Sequence, residues 1–270
     1  MEKIVIIGLG WFGMPLALAL RSEMEVVGTK STPEGVQQAK AQGIAATLLQ
    51  LTPALYCPDS TPLEGATRAV VNIPPTRGSA GVADGYFTAI TSITRLLEHV
   101  GVHSMIFVSS TGVFGASQTV VDEHTPPQPD TPQGEQLLKC EQWLRRNFKG
   151  RVDVLRPAGL VSKGRHPGRF LAGKTDVKGP MHPVNLVHRD DLIAITRAIL
   201  NASGPGRTYH AVAPMHPAKM EYYTAASQLL QLPLPQFDLT DRSTGRMVLG
   251  DHTSAILHID YTYENPLDMF

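Results

Sequence analysis

The chain has 270 residues, and its 24 Lys and Arg balance 24 Asp and Glu at zero formal net charge. That balance argues against bulk electrostatic capture by nucleic acid or an anionic membrane. With 18% charged and 42% hydrophobic residues the chain is not of the disordered class, and its two cysteines, Cys57 and Cys140, exclude a disulfide framework and a four-cysteine zinc site.

Met1 to Lys3 followed by an apolar stretch has the outline of a signal peptide. Gly8, Gly10 and Gly13 interrupt that stretch, Arg21 and Glu23 follow it, and no A-x-A cleavage site ends it. No segment offers about 18 uninterrupted apolar residues for a membrane span. A cytoplasmic protein without membrane attachment is expected.

Lys3 to Ile7 is a continuous Ile/Val-rich run, the pattern of a strand buried on both faces. Met14 to Leu20 reads as a helix with Pro15 in its first turn, and Met24 to Thr29 as a second strand. Pro33 to Gln42 reads as a helix stopped by Gly43. Ala69 to Ile73 is a strand ended by Pro74 and Pro75, Tyr86 to His99 a helix, and Met105 to Val108 a strand. Glu135 to Phe148 is a helix and Val152 to Leu155 a strand. This alternation predicts βαβ units around a parallel sheet. Residues 162–183 are rich in Gly and Pro and read as loop. Asp190 to Leu200 is a helix with carboxylates at its start, Thr208 to Val212 a strand and Lys219 to Gln231 a helix. The expected fold class is α/β, a doubly wound parallel sheet of the Rossmann type with a small C-terminal α/β lobe. The expected division is 1–160 plus 184–212 for the nucleotide-binding domain and 161–183 plus 213–270 for the lobe.

Gly8-Leu9-Gly10-Trp11-Phe12-Gly13 is a G-x-G-x-x-G that follows a buried strand and opens a helix, the setting in which it binds a dinucleotide. Gly8 permits a tight turn, Gly10 close approach of a pyrophosphate, and Gly13 close helix–strand packing. Trp11 and Phe12 lie inside the motif and join the candidate cofactor set. An NAD site usually places Asp or Glu about 20 residues beyond the glycines, on the ribose 2′-hydroxyl. Here Gly28-Thr29-Lys30-Ser31-Thr32 has no acid before Glu34. Lys30 would meet a 2′-phosphate, with Thr29 and Ser31 as further donors. NADP is the expected cofactor, with NAD the alternative.

The opening GLGWFGMPLA also resembles β-hydroxyacid dehydrogenases, but no later Gly-rich stretch followed by the lysine of that family is present. The rest of the chain resembles the extended short-chain dehydrogenase/reductases, the NAD-dependent epimerase/dehydratase superfamily. Phe107 to Gly115 (FVSSTGVFG) is similar to its strand-plus-"SS…VYG" segment. Val121-Asp122-Glu123 with Thr125-Pro126, Leu155 to Gly159, Val184 to Asp191 and Tyr209 to Val212 match further segments in order. The resemblance implies a Rossmann domain, a substrate lobe and a small-molecule substrate. It also implies that Ser110 polarises a substrate oxygen and that Asn72 and Pro74 lie along the adenosine and ribose; Ser109, a small hydroxyl at a strand end where open α/β sheets bind ligands, joins the candidate cofactor set. The resemblance leaves monomer and homodimer both open.

The same resemblance places a catalytic Tyr-x-x-x-Lys pair at Gln133 and Leu137, with Glu141 on the later Glu. Gln has no useful proton affinity and Leu cannot hold a ribose hydroxyl. Lys139 lies about 200° round the helix from Leu137. The standard proton relay is therefore not expected. Solvent or a substrate group would stand in for it, and Tyr86 is either a replacement or, the commoner case, a partly buried aromatic. Two readings follow: an NAD(P)-binding oxidoreductase or epimerase/dehydratase-like enzyme, or an NAD(P)-binding sensor or interaction protein without turnover. His188 reads as a structural histidine and Asp190 and Asp191 as helix-cap residues. No metal site is expected.

Overall fold

A computed structural model of the protein describes residues 1–51, 55–75 and 82–270. In chain order the elements begin with β1 (Lys3–Ile7), α1 (Gly13–Leu20), β2 (Glu25–Lys30), α2 (Pro33–Ala41) and β3 (Ala45–Leu48). They continue with β4 (Arg68–Val71), α3 (Val82–His99), β5 (Ser104–Val108), β6 (Val120–Val121), α4 (Pro132–Asn147) and β7 (Arg151–Pro157). The remainder is β8 (Gly159–Val161), α5 (Gly168–Leu171), β9 (Leu186–His188), α6 (Arg189–Asn201), β10 (Thr208–Ala211), α7 (Lys219–Leu229), β11 (Met247–Val248) and α8 (Asp251–Leu257).

Seven strands form one sheet in the order β10-β7-β5-β4-β1-β2-β3. The ladders β1–β2, β1–β4, β2–β3, β4–β5 and β5–β7 are parallel. Ile4 to Ile7 are all fully buried, as a strand covered on both faces requires. The order reverses between β1 and β4, which makes this a Rossmann-like doubly wound sheet with flanking helices. α2 and α4 begin alike: Thr32 and Thr131 cap them by accepting from Gly35 N and Gly134 N at 3.1 Å, with a proline in the first turn. That cap carries α4 three residues upstream of the expected start at Glu135, so Gln133 lies in its first turn.

β3 is absent from the elements expected from sequence. Its AATL segment carries little β-branched or aromatic character, and it becomes a strand by pairing with β2.

The chain groups into two compact units: 1–113 with 131–155 and 199–208, and 114–130 with 156–198 and 209–270. The second takes in 114–130 and 184–198, which the expected division assigned to the nucleotide-binding domain. The physical reason is long-range pairing, since β6 pairs with β11 and β8 with β9. Its core includes Val161, Val184, Leu186, Ala213, Tyr222 and Met269. Among the described residues no helix is long and apolar enough to cross a membrane.

Candidate functional site

In the first unit, the turn after β1 is pinned to the end of β2. Gly8 N donates to Thr29 Oγ1 at 3.0 Å and Leu9 N to the Thr29 carbonyl at 2.9 Å. Gly8 has φ +96°, a left-handed conformation in which a β-carbon would also lie 2.5 Å from the Asn72 carbonyl oxygen. A β-carbon on Gly13 would lie 2.1 Å from the Gly8 carbonyl oxygen, so that glycine lets α1 close onto the turn. Gly10 differs: among the described residues a β-carbon there would meet no atom of a non-neighbouring residue within 4 Å. It borders open space.

That space is a cavity of about 580 Å³ at the carboxyl ends of β1, β2, β3 and β4. Open α/β sheets take their ligands in this crevice, where the strand order reverses. The volume is that of a small-molecule or cofactor site. Among the described residues Lys30 is the charged side chain of the lining, and no Asp or Glu contributes. Gln50 reaches across from the end of β3 and donates Nε2–H to the Ser31 carbonyl at 3.2 Å. A glycine-bounded opening beside a helix N-terminus, one cation and apolar walls from Ile7, Leu49 and Ile73 fit a dinucleotide.

Of the residues named from sequence, Gly8, Gly10, Thr29, Lys30, Ser31, Asn72 and Pro74 line this cavity. Trp11, Phe12, Gly13 and Ser109 do not. Phe12 turns its side chain into the core, and Gly13 serves packing beneath the turn. Leu49, Gln50 and Leu51 line the cavity without having been expected. The signal that could have found them is the rule that the strand beside β2 also ends at this crevice, but β3 itself was not legible.

Ser109 and Ser110 follow β5. Ser109 is buried and donates to Glu141 Oε1 at 2.5 Å. Ser110 is half-exposed, and its Oγ accepts from Gly112 N at 3.0 Å, which leaves its own proton free to be donated. On α4, Gln133 is exposed and Leu137 buried. Tyr86 is buried and donates to the Ile73 carbonyl at 3.0 Å, bracing the strand end that lines the cavity. Burial, with Cys140 and Glu141 adding to it, raises its pKa well above the ordinary tyrosine value. These contacts give Tyr86 the role of a structural aromatic.

In the second unit, Asp191 departs from its expected cap role. It is buried and accepts from Thr262 N at 2.8 Å and Tyr263 N at 3.2 Å, so it clamps the C-terminal segment onto α6. His188 is buried with its ring 4.0 Å from that of Tyr263, and burial lowers its pKa.

No family model matches the chain. It is 40% identical over 274 residues to "Protein YeeZ" of Escherichia coli (strain K12), covering 100% of this chain and 99% of that protein. Among solved structures, UDP-glucuronic acid 4-epimerase from Bacillus cereus in complex with NAD superposes with a TM-score of 0.79 at 18% identity, covering 99% and 96% of the two chains. A short-chain dehydrogenase/reductase superfamily protein from Agrobacterium tumefaciens with bound NAD superposes at 0.76 and 17%, covering 97% and 93%. At these identities the likeness to solved structures carries the fold. The chain belongs to the family of the Escherichia coli protein YeeZ and has the fold of the NAD-dependent epimerases and dehydratases.

Proposed function

We propose that this protein binds a nicotinamide dinucleotide, NADP in preference to NAD, in the cavity bounded by Gly8, Gly10, Lys30 and Asn72, and acts on a small-molecule substrate as an oxidoreductase or epimerase/dehydratase-like enzyme. The observation that carries the reading is the pairing of Gly10, whose β-carbon position is open, with Lys30, among the described residues the cation of a lining that holds no acid. A bound ribose 2′-phosphate would be held by the Lys30 ammonium and the Ser31 hydroxyl; a 2′-hydroxyl would find no carboxylate to accept its proton. The B. cereus and A. tumefaciens proteins of the same fold carry NAD, which supports the class of cofactor. When bound, the dinucleotide supplies a hydride donor or acceptor.

The chain's own contribution at the reacting end is small. Ser110 would donate its free proton to a substrate oxygen. Gln133 is exposed and without acid–base capacity, and buried Leu137 cannot tune a neighbour. Solvent or a substrate group therefore takes the proton-relay role. The protein is read as cytoplasmic, acting as a monomer or homodimer.

Calorimetric titration with NADPH and with NADH tests the cofactor reading. Saturable NADPH binding well above NADH is expected; binding of neither would remove it. Gln133 and Leu137 also favour a second reading, a nucleotide-binding sensor or interaction protein without turnover. Transfer of deuterium from labelled NADPH to a product in a metabolite screen supports the enzyme. Tight binding without transfer, together with a partner released by NADPH, supports the sensor.

A further inference from the structure

The turn that leaves β2 is held residue by residue. Thr29 is tied to the glycine turn through Gly8 N and Leu9 N. The Lys30 carbonyl accepts from Leu49 N at 2.8 Å, one rung beyond the end of β3. Thr32 caps α2. Between them the Ser31 carbonyl takes a side chain instead of a backbone: Gln50 Nε2 donates to it at 3.2 Å, across 19 residues of sequence. Gln50 is itself anchored, because its backbone pairs with Tyr56 in an antiparallel bridge, N–H to carbonyl at 2.9 Å and carbonyl to N–H at 2.8 Å. Its side chain therefore spans from a fixed point to the turn. Lys30, Ser31 and Gln50 all line the nucleotide cavity.

What this bond controls follows from the two ligands that a ribose 2′ position can present. A peptide unit is planar, so the Ser31 carbonyl moves as one piece with the Thr32 N–H, and without Gln50 it is free to swing toward the cavity. A carbonyl oxygen only accepts. Ionised phosphate oxygens also only accept and carry negative charge, so a carbonyl facing them repels. A 2′-hydroxyl can donate, so the same carbonyl is a usable partner for it. Holding the Ser31 carbonyl on the β3 side thus favours the phosphorylated ligand through placement alone.

We propose that Gln50 is a positioning residue for cofactor choice: by holding the Ser31 carbonyl toward β3 it keeps a partly negative oxygen away from the 2′ position and raises the preference for a 2′-phosphate over a 2′-hydroxyl. The inference rests on the nucleotide reading of this cavity, with Lys30 and Ser31 at the 2′ position. It adds to that reading a residue that acts through Ser31, from the neighbouring strand end, and carries no charge of its own.

The test compares the full chain with Gln50→Met, a side chain of similar length that cannot donate. Calorimetry measures adenosine 2′,5′-bisphosphate against adenosine 5′-phosphate, and NADPH against NADH. The parent is expected to prefer the phosphorylated member of each pair. In Gln50→Met both preference ratios should fall about 3–10-fold, the worth of one hydrogen bond. Gln50→Ala should give the same fall, since the donor and not the bulk is at stake. Binding of adenosine 5′-phosphate reports that the cavity of each variant is intact. A parent with no preference for the 2′-phosphate would remove the NADP reading, and this inference with it. A parent that prefers it, with variants whose ratios are unchanged or in which all four ligands weaken by one common factor, would overturn the role of Gln50 and leave the NADP reading standing.

Discussion

Ser109 and Glu141 meet through a hydrogen bond of 2.5 Å, with both side chains buried. The carboxylate stands in the apolar stripe of α4 between Leu137, Cys140 and Leu144, one helical turn from each end of that stripe. It holds the carboxyl end of β5, next to Ser110, against the helix. Glu141→Ala leaves the Ser109 hydroxyl buried without this acceptor and should lower the unfolding free energy by about 1–3 kcal/mol. Glu141→Gln keeps an oxygen acceptor and should cost less. Urea unfolding of both variants checks the order; an alanine variant as stable as the parent would show the bond to be dispensable.

Two of the motif glycines, Gly13 and Gly10, should separate stability from binding. A methyl at Gly13 meets the Gly8 carbonyl oxygen at 2.1 Å, so Gly13→Ala should destabilise the fold by about 1–3 kcal/mol. A methyl at Gly10 meets no atom of a non-neighbouring described residue, so Gly10→Ala should leave stability within about 0.5 kcal/mol. It should nonetheless weaken NADPH about 10–100-fold, because the same overpacking cost falls on the ligand. Thermal unfolding and calorimetry together decide this. Undiminished NADPH affinity in Gly10→Ala would remove the pyrophosphate from this turn.

Lys30 is held by its stem: a β-carbon on Gly35 would lie 3.2 Å from Lys30 Cδ, so the side chain runs along the start of α2. Lys30→Glu should weaken NADPH about 10–100-fold, the worth of a charge-assisted hydrogen bond and its reversal, while NADH changes little. Competitive titration of the two cofactors measures the ratio. Equal loss of both would place Lys30 away from the 2′ position.

Acid should weaken the second unit through His210. Its side chain is fully buried, Nδ1 lies 2.9 Å from the Leu249 carbonyl oxygen, and the Phe114 ring meets it edge-on at 5.4 Å. Burial lowers its pKa, with Glu123 pulling the other way. The unfolded chain therefore takes up a proton at higher pH than the native protein does. The stability from neutral His210 is whole above about pH 6.5 and is lost as pH falls from there toward the lowered native value. His188 and His216 act in the same direction. The slope for one such group is at most about 1.4 kcal/mol per pH unit. Urea midpoints from pH 8 to 5 should fall below pH 6.5, and less steeply in His210→Gln. A parent midpoint unchanged down to pH 5 would refute the assignment.

What lies within a few residues was legible before any coordinates. The KIVII run of β1 is apolar throughout because both its faces are covered, and the glycine spacing after it marks a turn into a helix. Lys30, and the missing acid beside it, could be read at the end of β2 because the cofactor-selecting position lies at a set distance from the glycines. These features depend on side-chain periodicity, backbone conformation and helix caps, which are local properties of the chain. The rest depended on which distant segments meet. β3 is a strand because β2 offers it a ladder, and only then do Leu49 and Gln50 reach the cavity. Asp191 looks like a helix-start carboxylate until residues 262 and 263 bring their N–H groups to it. Ser109 looks like a cofactor contact until α4 supplies Glu141. The turn after β1, the capped start of α2 and the buried strands β1 and β2 were therefore determined by the sequence itself. The distant partners of buried polar groups such as Ser109 and Asp191, and the walls of the nucleotide cavity, were decided only by tertiary packing, because desolvated hydrogen-bonding groups take their partners from whatever segment the fold brings within reach.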